Sequence, residues 1–224
     1  MSHLLSKSKY IRGLQCDRAL WLDVFNPRLA RYSAEQMRRF DRGRDFEYSF
    51  KATFPGGIDV SVGMKRDIDL IPERTAQLLD GVGEVVIFEA GFIYDDVLVL
   101  ADVVQRNEDG SIDVFEVKSG TALSDTYCHD AAVQHYVISH CRKVNSFSVV
   151  YNGGTDQSDY FKKVDLTADL QAQHDDIARN IAAMKEILRH GEPATATGQH
   201  CLTPYACPYQ HYCAQGVRQM SLFG

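Results

Sequence analysis

DVFEVKSGT, residues 113–121, closes an apolar run with a carboxylate at Glu116 and an ammonium at Lys118. Alternate residues of a strand point to one face, so both charges project together where the chain would leave a sheet. A buried charge is costly unless it is paired or holds a metal. Upstream, VLVLADVVQ (97–105) and SIDVFEV (111–117) flank Asn107-Glu108-Asp109-Gly110, the pattern of a hairpin with a glycine-containing loop. Asp102 lies on the first arm and Glu116 on the second, so their side chains can converge. Two converging carboxylates repel, and a hard divalent cation such as Mg2+ is the usual remedy. Such an ion, with waters and the carbonyl of Val117, would polarise a phosphate, and Lys118 would orient a bound water or stabilise the developing charge. The plain alternative is a buried Glu116–Lys118 ion pair with unrelated edge carboxylates around it.

Further out, EVVIFEAGFI (84–93) reads as a strand with Glu89 near its middle. Ser33-Ala-Glu-Gln36 is a capping-box pattern that opens a helix to about Phe54, before Pro55-Gly56-Gly57 stops it. Met37, Phe40, Phe50 and Phe54 mark its expected apolar side, and Glu47 falls on that side too. Residues 125–141 read as a helix with Ala131, Gln134, Ile138 and Cys141 in one stripe. SFSVVY (146–151) reads as a strand, a short one follows over 159–165, and Thr167 caps a helix that ends at Gly191. The order predicts a mixed α/β domain with a central sheet over residues 33–192. A basic arm (1–32) precedes that core, and a cysteine-rich segment (193–224) follows it.

The 224 residues are 45% hydrophobic and 24% charged, which excludes a disordered or fibrous chain. No apolar stretch approaches the ~18 residues of a membrane span, and MSHLLSKSKYIRG lacks a secretory h-region. The cytoplasm is the expected compartment, with no membrane partner, and six cysteines there point to metal or redox chemistry rather than disulfides. The net charge of −6 is unevenly spread: residues 1–45 hold ten Lys/Arg and five Asp/Glu, and residues 46–224 hold fourteen and twenty-five. A basic arm on an acidic body fits a nucleic-acid enzyme whose carboxylates hold cations, and equally a solvated surface. Trp21 and Tyr10, interleaved with Lys7, Lys9, Arg12 and Arg18, would stack on unpaired bases, with a place in the core as the equal alternative for Trp21.

Near the other end, Cys201, Cys207 and Cys213 are spaced six apart among prolines and aromatics, and Cys16 is a distant fourth. Four thiolates complete a zinc site or a 4Fe–4S cluster. Zinc sites favour paired Cys-x2–4-Cys knuckles, which are absent here, so the larger cluster fits better and zinc is the alternative occupant. Cys128 and Cys141 read as ordinary buried cysteines.

Asp102, then Glu116-Val117-Lys118 after a hairpin, on an α-β-β-β-α-β order, resembles the PD-(D/E)XK restriction-endonuclease-like fold, and within it the RecB-like exonucleases. The resemblance implies that Asp102 and Glu116 are metal ligands, with Val117 through its carbonyl, for Mg2+ or Mn2+. It makes Lys118 the catalytic lysine and Gln134 the supporting glutamine. Glu47 stands at the end of Gly43-Arg-Asp-Phe-Glu47, where the family's GxxxH has histidine, and Glu89 is a further ligand or a support. One N-terminal and three C-terminal cysteines are similar to the iron–sulfur staple of AddB-type and CRISPR-associated RecB-like exonucleases, although those space the last three more tightly. That resemblance implies Cys16, Cys201, Cys207 and Cys213 as cluster ligands that join the two ends of the chain.

The expected activity is metal-dependent exonucleolytic cleavage of DNA, on single strands or frayed ends, in repair, recombination or defence. A non-catalytic nucleic-acid-binding or assembly module of the same fold, and a cluster-based redox sensor, are the alternatives. The final Gln219-Met-Ser-Leu222-Phe223 resembles the peptide by which bacterial replication and repair proteins hook the sliding clamp; the alternative is that Leu222 and Phe223 fold back on the protein.

Overall fold

The computed structural model describes residues 3–63, 68–154 and 160–220. Its strands form one mixed seven-stranded sheet flanked by helices, an α/β fold. In chain order these are β1 (Leu5–Ser6), α1 (Lys7–Gln15), α2 (Asp17–Phe25), α3 (Ala34–Lys51), β2 (Ile58–Asp59) and α4 (Ile71–Leu79). There follow β3 (Val85–Tyr94), β4 (Val97–Arg106), β5 (Ile112–Lys118), α5 (Asp125–Cys141), β6 (Val144–Asn152) and β7 (Phe161–Asp165). The chain closes with α6 (Thr167–Gln171), α7 (His174–Arg189) and α8 (Gln210–Met220). Among the described residues no helix is long and apolar enough to cross a membrane.

The sheet order is β2-β3-β4-β5-β6-β7, with β1 added to β4. β3, β4 and β5 are antiparallel neighbours, and the return through α5 makes β6 parallel to β5. The β4–β5 turn is the expected one: Gly110 has φ 80°, and Asn107 donates its amide to Ser111 O at 2.8 Å.

Strand alternation divides the core. Val104, Ile112, Val114 and Ile87 face the larger cluster, which α1, α2, α4, α5 and α7 cover with residues such as Tyr10, Leu20, Ile138 and Ile181. The intervening Val103, Phe115 and Val117 face the other side, where Phe46 and Phe50 of α3 close a smaller cluster. Each such fully buried side chain contributes about 1.5–3 kcal/mol of transfer free energy.

Three expectations change. The segment expected as a basic arm is packed into the fold where it is described: Leu5, Tyr10, Leu20 and Leu22 are fully buried, and β1 is a strand of the sheet. On α3 the apolar side is Phe46 and Phe50, joined by Phe54 just beyond the helix, whereas Met37 and Phe40 are 49% and 46% exposed. The last long helix is broken into α6 and α7, and Thr167 does not cap it. The Thr167 hydroxyl instead accepts from the amide of Phe147 at 2.8 Å, tying the helix start to β6.

Candidate functional site

β5 pairs with β4 only from Ile112 to Phe115, yet it stays paired with β6 through Lys118. The two strands therefore part after Phe115, at the level of Asp102 and Glu116. The Asp102 carboxylate takes the place of the missing ladder, accepting from the amide of Val117 at 2.7 Å. On the other edge of β4, the ladder to β3 runs Phe88↔Val103 and Ala90↔Ala101 but omits Glu89 and Asp102. Glu89 has φ 55°, a left-handed conformation that costs a non-glycine residue roughly 1–2 kcal/mol. The result is that Glu89, Glu47 and Asp102 bring carboxylate oxygens within 4.8 Å of one another. Lys51, one turn beyond Glu47 on α3, bonds both Glu47 and Glu89.

Glu116 is 1% exposed. Its Oε1 accepts from Lys118 and, at 2.8 Å, from Lys7. Lys118 also bonds Asp130 of α5, and Lys7 lies 3.6 Å from that carboxylate. Burial works against the charge of Glu116, but Lys118 and Lys7 outweigh it and hold the carboxyl well below its usual range. Both lysines are likewise pulled down by burial and pushed up further by their carboxylates, so both stay charged. Asp102 behaves differently: burial, then the charge of Glu116, raises its carboxyl well above 3.8. Burial raises Glu89 as well, against the pull of Lys51.

Five carboxylates (Glu47, Glu89, Asp102, Glu116, Asp130) thus meet three ammonium groups (Lys7, Lys51, Lys118), two negative charges in excess when all are ionised. Two buried acceptors, Glu116 Oε2 and Gln134 Oε1, have no hydrogen-bond partner among the described residues. An unmet buried acceptor costs about 1–3 kcal/mol. An all-oxygen donor set with surplus negative charge and an orphaned carboxylate oxygen fits a hard divalent cation.

The expected site residues are therefore gathered, with a shift of emphasis. Asp102 is the hinge between two groups, Glu47 and Glu89 on one side and Glu116 and Lys118 on the other. Val117 donates its amide to Asp102. Gln134 is fully buried and donates to Asp130 O at 3.3 Å. Lys7 was not foreseen as a site residue. Its signal in the sequence is a cation in the first turn of a helix after a good cap, Ser6, where the helix dipole disfavours it unless an anion is close. Asp130, one turn before Gln134, carried no such mark.

The segments that carry Cys16 and Cys207 pack side by side. Cys16 sits at the junction of α1 and α2 and packs with Cys207 around Tyr209 and Leu22. Burial raises the thiols of Cys207 and Cys213, and each feels Cys16 and Cys201 nearby. Gln15 holds the segment in place, donating to His200 O and Tyr205 O at 2.7 Å each, and Cys207 N bonds Cys201 O at 2.8 Å. All four thiols are free. Among the described residues, no three sulfurs lie within 4.8 Å of one another. Cys128 and Cys141 pack against the main core, as expected.

The two expected stacking residues differ in exposure, Trp21 being only partly buried. Tyr10 is fully buried, its hydroxyl accepting from Asn180 at 3.2 Å, and Trp21 lies on Phe25 with Nε1 donating to His190 O. Of the basic residues around them, Lys7, Arg12 and Arg18 each make an ion pair. Leu222 and Phe223 of the clamp-like peptide, and the side chain of Gln219, lie outside the described residues.

No family model matches the chain, and no curated protein matches it. Among solved structures, one titled "Crystal structure of SSO0001" is similar with a TM-score of 0.41 and 11% identity, over 78% of this chain and 75% of that one. A likeness of that extent leaves function to be argued from the residues themselves.

Proposed function

We propose that this chain is a metal-dependent nuclease of the PD-(D/E)XK type, similar to RecB-like exonucleases, that hydrolyses phosphodiester bonds of DNA. The reading is carried by the parting of β4 from β5. It sets Asp102 opposite Glu116, puts Lys118 two residues on, and leaves a buried Glu116 oxygen without a donor.

Asp102 and Glu116 would hold Mg2+ or Mn2+, with Glu89 and Glu47 as further oxygen donors. A bound ion of this kind supplies Lewis acidity toward a phosphoryl oxygen and lowers the pKa of a water. Lys118 keeps its proton in this environment, so it acts as a donor to substrate or water rather than as a base. Asp130 shares the load of Lys118, which keeps the ammonium near the cleft. Gln134 offers its unbonded Oε1 as an acceptor for a proton of the attacking water. Burial and the charge of Glu116 raise the Asp102 carboxyl above its usual range, and a cation held beside it would favour the ionised form.

Cys16, Cys201, Cys207 and Cys213 would hold a 4Fe–4S cluster that ties the two ends of the chain together. Tetrahedral zinc, with Zn–S bonds of about 2.3 Å, draws its sulfurs to within about 3.8 Å. The positions 16, 201, 207 and 213 lack the paired Cys-x2–4-Cys knuckles that zinc sites favour, which supports the larger inorganic core.

The test is degradation of end-labelled single-stranded DNA with Mn2+ or Mg2+, by wild type and Lys118→Ala, both purified without oxygen. Cleavage by the wild type alone supports the reading, and the label gives the polarity. The pairing of Lys118 with both Glu116 and Asp130 also favours a second reading, a non-catalytic binding module in which these charges are structural. DNA binding without cleavage by either protein would select that one.

A further inference from the structure

We infer that Lys7 is a positioning residue of the carboxylate centre: it holds Oε1 of Glu116, so that Oε2 is left for a ligand and Lys118 is free to turn to the substrate. The inference rests on the nuclease reading and adds a residue from outside the Asp102–Glu116–Lys118 set.

Its basis is the second half of the β4 edge. Where β5 leaves that edge, β1 takes it up in parallel, Leu5 beside Val97 and Ser6 beside Leu98, with Leu5 N donating to Asp96 O at 2.9 Å. Ser6 then caps α1, and Lys7 is its first residue. A cation at that end of a helix is disfavoured by about 0.3–1 kcal/mol, so its placement has to be offset by the carboxylates it meets. Those are Glu116 at 2.8 Å and Asp130 at 3.6 Å, the same two that Lys118 bonds.

Two ammonium groups therefore share two buried carboxylates. Without Lys7, Lys118 alone would neutralise both, and detaching it toward a phosphate would leave buried charges unpaired. With Lys7 present, Lys118 can let go of Glu116 while that carboxylate keeps a partner. Lys7 is itself rigidly held. Tyr10 is fully buried, Gly13 sits so close beneath Met184 that a Cβ would come within 2.6 Å of its methyl, and Gln15 anchors the far end of α1. A fixed ammonium loses little freedom when it does its work, which is the condition for positioning.

The experiment uses the full chain, purified without oxygen, as wild type, Lys7→Met, Lys7→Gln and the conservative Lys7→Arg. Mn2+ affinity is measured by calorimetry and by electron paramagnetic resonance, and kcat and KM on end-labelled single-stranded DNA. Removing a cation beside the ligand oxygens does not weaken Mn2+ binding, because like-charge repulsion is relieved. The expected result is Mn2+ affinity equal to or tighter than wild type, kcat lower by about tenfold or more with KM little changed, and partial recovery in Lys7→Arg. The glutamine variant keeps a donor to Glu116 without the charge and carries the test if the methionine variant does not fold. Three results would overturn the inference: a kcat within about twofold of wild type in both neutral variants, loss of Mn2+ binding together with kcat, or failure of both neutral variants to fold. A wild type that neither binds Mn2+ nor cuts removes the nuclease reading and this inference together. A cutting wild type with equally fast Lys7 variants removes this inference alone.

Discussion

The carboxylate centre and the cysteine end are both assembled from residues far apart in the chain, but they are held by different means. Asp102 and Glu116 stand on neighbouring strands of a sheet whose two faces are covered by Val104, Val114 and Ile138 on one side and Phe46, Phe50 and Val103 on the other. The cysteine end rests on a cluster whose fully packed members are Ala19, Leu22 and Tyr209, and on hydrogen bonds from Gln15. The first region would keep its shape without an ion and is electrostatically uncomfortable that way. The second has little apolar burial of its own, so a group bound by the thiolates would supply much of its order. On the proposed reading, one site would use the fold and the other would help to make it.

The largest effect that separates them is expected at Asp102. Asp102→Asn keeps an acceptor for Val117 N but loses the charge, so nuclease activity should fall by about a thousandfold. The same change relieves repulsion with Glu116 in the metal-free protein, so the melting temperature in EDTA should stay level or rise. A clear drop in that temperature would mean that the carboxylate is structural.

Cys207→Ser should show the opposite pattern. Loss of one thiolate is expected to cost at least about 2 kcal/mol, a fall in melting temperature of about 4–8 °C for a chain of this size, with protease cleavage concentrated near both ends. An unchanged melting temperature and digest would leave the thiols without a structural role.

The smallest effect is a fraction of a proton. Asp102 has a raised pKa in the metal-free fold, so it disfavours the fold increasingly as pH rises from 3.8 toward that raised value, where the unfolded chain has already lost the proton. Mn2+ binding within that window should release a proton and strengthen with pH, seen by calorimetry in buffers of different ionisation enthalpy. Glu116 has the opposite sign: its stabilisation is present above 4.5 and is lost as pH falls toward its depressed value. Binding without proton release would place the ion away from Asp102.

How much of this could be read beforehand follows from the range of the forces. The capping box at Ser33 and Gln36 is local, and it forms as expected, with both reciprocal hydrogen bonds present. The helix over residues 125–141 has the predicted limits because Ser124 caps it, although all of Ala131–Ile138 is buried rather than a single stripe. Asp102, Glu116 and Lys118 were legible because a hairpin fixes its own register. Lys7 was not, since its partners are more than a hundred residues away and its place depends on β1 joining β4. Met37 and Phe40 misled because periodicity reports a face of the helix and not whether anything covers it. Glu89 could be marked as odd in a strand, but the left-handed backbone that turns it toward Asp102 has no signature in a non-glycine residue.

The central claim is that the parted strands form a divalent-cation site, and a crystal soaked in Mn2+ with data collected at the manganese edge tests it directly. An anomalous peak in contact with Asp102, shared with Glu116 or with Glu89 and Glu47, is the predicted result. A protein saturated with Mn2+ in solution whose peaks all lie elsewhere, with Asp102 still bonded only to Val117, would contradict it.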